Sequence, residues 1–337
     1  HYLTYWQAFD KDEWRTEIVR GRSKRARVDI FLQYYLALKT EDDVLVTHLY
    51  KAFQAYLRKD KGLTAEDHLK SLREYASIFE SFERHPEGSF EHRFFSGINI
   101  MEVTTAYPFL LEFYRLHGGN RKMVTAVLND LQSFLVRRMV CQLTAKNYNN
   151  LFTGLVTALR QESGDPNAIV RRYLLGSTAD TFRWPDDQEF NSAWTHVPVY
   201  NALVRRRLAL ILRRLELNIR GPKTEDVHLP SNLQVEHLMP QQWQQHWPLR
   251  KGSDAMEAQK ARNALIHTIG NLTLVTKSLN PALSNGPWEQ KRRQIQEHSV
   301  LLLNKGLPET WSESAISART QSLFKHACKI WPHPGAS

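Results

Sequence analysis

From Trp6 to about Leu175 apolar positions recur at intervals of three and four: Ile30, Tyr34 and Leu38, then Val44, Leu49, Phe53 and Leu57. That is the period of helices turning one face inward, and it predicts an almost wholly helical first half. The same spacing predicts a helix over Glu66 to Phe82. Gly118-Gly119-Asn120 then separates an aromatic-rich helix from the next, which runs to about Arg138. No self-similarity at a period of roughly 20–50 residues is visible, which argues against a solenoid.

Around Ser177 to Asp187 the pattern gives way to turn and polar residues, with Trp184-Pro185-Asp186-Asp187 the strongest punctuation, and the chain is divided there into residues 1–178 and 179–337. A helix is predicted from about Phe190 to Leu215. Val204, Leu208, Ile211, Leu212 and Leu215 share one face of it, while Arg205, Arg206, Arg207, Arg213 and Arg214 hold the flanks and back. Gly221-Pro222 ends that region. Leu233 to Leu238 is short enough for a strand halted by Pro240, and Leu272 to Thr276 alternates like a second strand. Between them, a Gln- and Trp-rich stretch and a short polar helix at Asp254 to Ala264 read as an insert. Pro287 opens a further helix, Trp288 to His298.

Composition narrows the function classes. The chain has 337 residues and is 42% hydrophobic, enough to bury a sizeable core. Its longest apolar runs, such as Leu208 to Leu212, fall far short of the roughly 18 residues a membrane span needs, no leader pattern opens the chain, and a cytoplasmic location is expected. Residue 1 is His and opens into a Tyr/Trp-rich run, which points to a fragment lacking an N-terminal part. Cys141 and Cys328 lack metal or disulfide spacing and are expected to be inert. The 45 Lys+Arg against 35 Asp+Glu give a net charge of +10, the footprint of a phosphate-rich partner, though a basic soluble protein without one shows the same balance. No phosphate-binding loop or dinucleotide-binding turn occurs.

Candidate chemistry concentrates in VEHLMPQ, residues 235–241, and IGNLTLVTKSLNPALSN, residues 269–285. Hydrolysing a phosphodiester needs a nucleophile made from water and neutralisation of charge in the transition state. A hard cation such as Mg2+ takes oxygen ligands and needs few protein side chains, so Glu236 with the amide carbonyl of Asn280 is sufficient. In an extended strand His237 points to the opposite side from Glu236 and is the candidate proton acceptor.

These residues resemble an HNH, or ββα-metal, nuclease domain over about residues 233–298. In that family an acid-His pair closes the first strand, an Asn opens the second, and another Asn begins the helix side. Glu236-His237, Asn271 and Asn280 match those positions, and the spacing of the two asparagines is like that in the HNH domain of RNA-guided CRISPR nucleases. The step from His237 to Asn271 is longer than in compact members, which the Trp243 to Ala264 insert explains. The strings EHLMPQ, HTIGNLTLVTKSLN and LSN, followed by Trp288 and Lys291, resemble most closely the C-terminal domain of GmrSD-type modification-dependent restriction enzymes and phage-defence relatives of the SspE type.

The resemblance implies a mainly α chain: a helical N-terminal domain followed by a C-terminal α+β HNH domain embedded among helices. It implies His237 as general base, Glu236 and Asn280 as ligands of Mg2+, with Mn2+ substituting, and Asn271 as the brace of the histidine loop. Glu stands where other branches carry Asp. Arg205, Arg206, Arg213 and Arg214 are read as a track for DNA phosphates or as a solvated helix face. Lys291 and Arg292 are read as facing the site or a phosphate, or solvent. Asn285 is read as a helix cap or a contact to the metal shell, and His267 as a second-layer partner or a structural residue; His228 and His246 lie nearby in sequence. The expected function is a metal-dependent DNA endonuclease, nicking or cleaving, of a restriction or phage-defence system. Its alternative is a module that binds nucleic acid or a partner without cutting. The nucleotide-hydrolysing N-terminal domain of such enzymes has no visible counterpart here, and a missing one is an expected partner.

Overall fold

In the computed structural model, which describes residues 1–337 except 21–22, 61, 177–178, 222–223, 226–228, 231, 250–253 and 336–337, the three-and-four spacing of the first half is realised as helices. These are α1 (Arg27–Thr40), α2 (Leu49–Lys59), α3 (Ala65–Ser81), α4 (Phe90–Met101), α5 (Tyr107–His117), α6 (Arg121–Val140), α7 (Tyr148–Gln161) and α8 (Pro166–Leu175). Their starts are chemically marked. Thr64 and Asp67 form a reciprocal capping box ahead of α3, and the side chains of Ser89 and Asp165 accept N–H groups from the first turns of α4 and α8. Each cap satisfies donors that the helix leaves open. A hairpin interrupts the expected helical run: β1 (Glu17–Arg20) pairs antiparallel with β2 (Ser23–Ala26), Ile18 opposite Arg25. Ile18-Val19 is too short an apolar run among charges to declare a strand.

The chain separates into two compact units, residues 1–131 with 144–183, and residues 132–143 with 184–337. The expected division before residue 179 falls at Thr178, outside the described residues; the structural one follows Arg183. In the first unit Trp14, Phe31 and Phe79 meet in an aromatic core, with ring centroids of Trp14 and Phe31 5.4 Å apart and of Phe31 and Phe79 5.7 Å apart. Burying each such ring contributes about 2–3 kcal/mol. Beside this core the buried Glu112 accepts from Arg115 at 3.0 Å, from Arg160 at 2.9 Å and from Tyr75. Burial by itself would raise its pKa, but these donors overcome that and hold the carboxyl at about 2.

The second unit departs from expectation at its start. The helix anticipated from Phe190 to Leu215 is split into α9 (Asp187–His196), a single turn Val199–Ala202, and α10 (Arg205–Ile219). Pro198 is the cause. It has no N–H to continue the ladder and it drives Val197 into an extended conformation, so α9 ends there. Leu208, Ile211, Leu212 and Leu215 of α10 are buried as the period requires, whereas Val204 caps the helix and is exposed.

Next come β3 (Leu233–His237), α11 (Ala255–Ile266), β4 (Leu272–Thr276), a turn at Asn280–Leu283, α12 (Trp288–His298) and α13 (Glu313–Ile330). The strands pair antiparallel, with His237 opposite Leu272 and Glu236 opposite Thr273. The strand, strand, helix order is therefore present, mainly α overall with a small hairpin in this unit. Leu238, Met239, Trp243, Trp247, Val275, Trp288, Ile295 and Trp311 form the core behind it.

Two buried charges in this unit are fully committed to the scaffold. Glu216 of α10 accepts from the backbone N–H of Leu302 at 2.9 Å and Leu303 at 2.8 Å, and Arg137 donates to the carbonyls of Trp331 at 2.7 Å and Pro185 at 3.1 Å. Cys141 and Cys328 are not disulfide-bonded, and each is half-buried. Burial pushes the Cys328 thiol up to about 11, so it stays protonated and unreactive. Among the described residues no helix is long and apolar enough to cross a membrane.

Candidate active site

Alternation along β3 sets the two faces of the site. His237 closes the strand on the buried side, while Gln234 and Glu236 lie on the other. Beyond the strand the chain turns through Leu238-Met239-Pro240, and Asn271, itself fully buried, clamps this turn. Its amide oxygen accepts from Met239 N at 2.8 Å and from Trp311 Nε1 at 3.0 Å, and its Nδ2 donates to Met239 O at 2.8 Å and Ile266 O at 2.9 Å. A carboxylate has no donors and an aliphatic side chain has neither function, so only an amide satisfies this set. Its neighbour Gly270 has a steric reason: a Cβ there would lie 2.1 Å from Thr320 Oγ1 and 2.4 Å from Ile316 O of α13.

His237 is 5% exposed and its Nε2 lies 3.3 Å from Nδ1 of His267. The Tyr200 ring packs on it with centroids 4.2 Å apart and stacks on His267 at 5.6 Å. Burial, then the nearness of His267, Lys291 and Arg205, pushes the His237 pKa down to about 3. The ring is therefore neutral and has a lone pair to offer a proton. Among the described residues its Nδ1 has no hydrogen-bond partner.

On the opposite face Glu236 Oε1 accepts from Lys291 Nζ at 2.7 Å, and Asn280 Nδ2 donates to Gln234 Oε1 at 2.9 Å. Gln234 thus brings Asn280 to the Glu236 side of β3. Among the described residues Glu236 Oε2 and Asn280 Oδ1 have no hydrogen-bond partner, which leaves two hard oxygens for a ligand. Among the same residues no group of three or more His, Cys, Asp or Glu side chains gathers at metal-binding distance. A cation here would have one carboxylate, an amide oxygen and water, a set that fits Mg2+ and would suit a thiophilic metal poorly.

Within this stretch, one match to a known family stands out. Residues 184–326 match the family model described as GmrSD restriction endonucleases, C-terminal domain. No curated protein matches the chain. The matched segment contains β3, β4, the Asn280 turn, α12 and most of α13, so every residue of the site just described lies inside it.

The basic residues divide by burial. Arg205 and Arg206 are exposed at the start of α10, and the Arg205 guanidinium lies 3.3 Å above the Tyr200 ring centre while donating to Tyr200 O. Arg213 and Arg214 are half-buried and turned inward: Arg213 donates to Pro230 O at 2.6 Å and Arg214 to Gln132 Oε1 at 2.8 Å. Arg292 donates to Leu307 O at 3.1 Å.

Lys291 differs most from a phosphate contact. At 1% exposure its ammonium spends its donors on Glu236, on His237 O at 2.7 Å and on Ser284 O at 3.0 Å, so it faces the site from the inside and offers no proton to a DNA backbone. Burial lowers its pKa, against the pull of Glu236. Ser284 itself has φ 33°, a backbone conformation that residues other than glycine rarely adopt. Asn285 donates to Gln242 Oε1 at 3.1 Å and does not cap α12, whose N-cap is Pro287. His246 is exposed and His228 lies outside the described residues. Tyr200, Gln234 and Trp311 are the contacts that sequence reasoning did not assign to the site. Gln234 was findable, since strand alternation puts it on the face of Glu236; nothing local marks Tyr200.

Proposed function

We propose that the second unit is a divalent-metal-dependent HNH, or ββα-metal, endonuclease that nicks or cleaves DNA in a restriction or phage-defence system. One arrangement supports the reading above all: Glu236 and His237 end β3 on opposite faces, Asn271 clamps the turn beyond, and Asn280 comes to the side of Glu236, all within a stretch similar to a restriction-endonuclease domain. A binding module has no use for a buried neutral imidazole on one face of a strand end whose other face carries two unspent oxygens.

In the mechanism His237 Nδ1 takes the proton of the attacking water, and the resulting hydroxide attacks phosphorus. Glu236 Oε2 and Asn280 Oδ1 would hold the cation, Mg2+ or Mn2+ in its place. When bound, the cation supplies charge neutralisation at the transition state and help for the departing 3′ oxygen. Lys291 fixes the Glu236 carboxylate through Oε1, and Asn271 fixes the turn that carries His237. In this reading the exposed Arg205 and Arg206 would meet phosphates. The test is incubation of the protein with supercoiled plasmid and Mg2+ or Mn2+, with and without EDTA. Metal-dependent conversion to open circles is expected, and His237→Ala should slow it by roughly 10²–10⁴-fold while leaving DNA binding intact. Wild-type rates in His237→Ala would remove His237 as the base.

A further inference from the structure

The reading above needs one nitrogen of His237 to be free of its proton, yet a buried neutral imidazole has two tautomers, and only the one protonated on Nε2 leaves Nδ1 able to accept from water. Nothing on β3 makes that choice. The partner of Nε2 is a side chain from the end of α11: His267 Nδ1, 3.3 Å away. Two ring nitrogens at this distance share one proton, so when His267 Nδ1 accepts, His237 must carry its proton on Nε2.

His267 is itself held from two sides. Its carbonyl accepts from Tyr200 N at 3.1 Å, and the Tyr200 ring lies parallel to its own within 18°. Tyr200 in turn covers His237 at 4.2 Å and is covered by the Arg205 guanidinium.

We propose that His267 is a positioning residue of this site: its Nδ1 accepts the Nε2 proton of His237, which selects the tautomer with a free Nδ1 and stabilises the imidazolium formed when that nitrogen takes the water proton. Tyr200 fixes the angle between the two rings, and Arg205 backs Tyr200 in addition to any phosphate it meets. The proposal rests on the nuclease reading for its consequence, since the proton balance matters only if His237 acts as base. The tautomer it assigns can be measured without any cleavage.

The experiment uses the full chain with 15N-labelled histidine and reads the ring nitrogens by long-range 1H–15N correlation, with His237→Gln supplying the assignment. The wild type should show His237 protonated on Nε2. His267→Leu removes the acceptor and should redistribute that proton, whereas His267→Asn, whose amide oxygen reaches the position of Nδ1, should restore it. Plasmid nicking should follow the same order. kcat should fall roughly 10–100-fold in His267→Leu, KM for DNA should be unchanged, and His267→Asn should recover most of the loss.

A folded His267→Leu with an unaltered His237 tautomer overturns the proposal, as does wild-type His237 found protonated on Nδ1. Loss of folding in His267→Leu shifts the decision to wild type and His267→Asn, where the same tautomer must appear in both. Absence of metal-dependent nicking in the wild type, with the assigned tautomer present, would sink the nuclease reading and leave the ring pairing standing.

Discussion

Asn271→Ala tests the part of the site on which everything else stands. The substitution strips hydrogen-bond partners from Met239 N, Met239 O, Ile266 O and Trp311 Nε1, all four interactions lying in the interior. At about 1 kcal/mol net for each bond lost, the destabilisation is about 4 kcal/mol, and more if the stranded groups are not reached by water. Against a typical stability of roughly 5–15 kcal/mol this is a large share. For a unit of this size it corresponds to a fall in Tm of about 10–15 °C.

Asn271→Asp sharpens the argument. It keeps the shape and the acceptor for Met239 N and Trp311, but turns a carboxylate toward the carbonyls of Met239 and Ile266. It should therefore destabilise at least as much as the alanine variant, although fewer atoms are removed. Calorimetric unfolding of the three proteins, with far-ultraviolet dichroism to check that each is folded at the start, gives the answer. A Tm for either variant within a degree or two of wild type would refute the claim that this amide closes the turn after β3. The aspartate variant proving much milder than the alanine one would refute the reason given for an amide at this position.

Asn280→Ala, and with it Glu236→Ala, should weaken Mg2+ binding measured by titration calorimetry, with nicking partly rescued by Mn2+, which tolerates an incomplete shell better; unchanged affinity in Asn280→Ala would exclude it as a ligand. Replacing Arg205 and Arg206 with Gln should lower the salt dependence of DNA binding by about 0.9 in slope for each lost phosphate contact, whereas Arg213→Gln and Arg214→Gln should act mainly on stability, because their side chains hold Pro230 and Gln132. Equal slopes in all four variants would return α10 to the role of scaffold. In the first unit, the Glu112 carboxyl is held at about 2, below its ordinary value of 4.5, so its contribution to stability is complete above the ordinary value and is lost as pH falls through about 2. Glu112→Gln should accordingly lower Tm most near neutral pH, and its deficit should shrink toward about pH 2.5; a deficit independent of pH would show that packing, not charge, carries the effect.

What could be read from the sequence, and what could not, divides along the range of the interactions concerned. The helices of the first half and the β3–β4 hairpin follow from periods of 3.6 and 2 within single segments, and the acid-His pair falls on opposite faces by alternation alone. Pro198 shows the limit of periodicity: the apolar spacing runs on through it, and the backbone does not. For the site, Glu236, His237, Asn271 and Asn280 lie on one hairpin and the turn after it, but the contacts that orient them come from far along the chain. Tyr200 and His267 reach His237, and Trp311 reaches Asn271, with no local signal to announce them.

Lys291 is the instructive case, because its direction was encoded locally and outweighed by its charge. Trp288, Lys291 and Ile295 follow one another at intervals of three and four, and all three are buried, so the period of α12 already turns this lysine inward. A cation at an apolar position of a helix beside a candidate carboxylate is better read as that carboxylate's partner than as a hand for phosphate. A buried ammonium left without an anion would carry an uncompensated cost, and Glu236 is the anion within its reach.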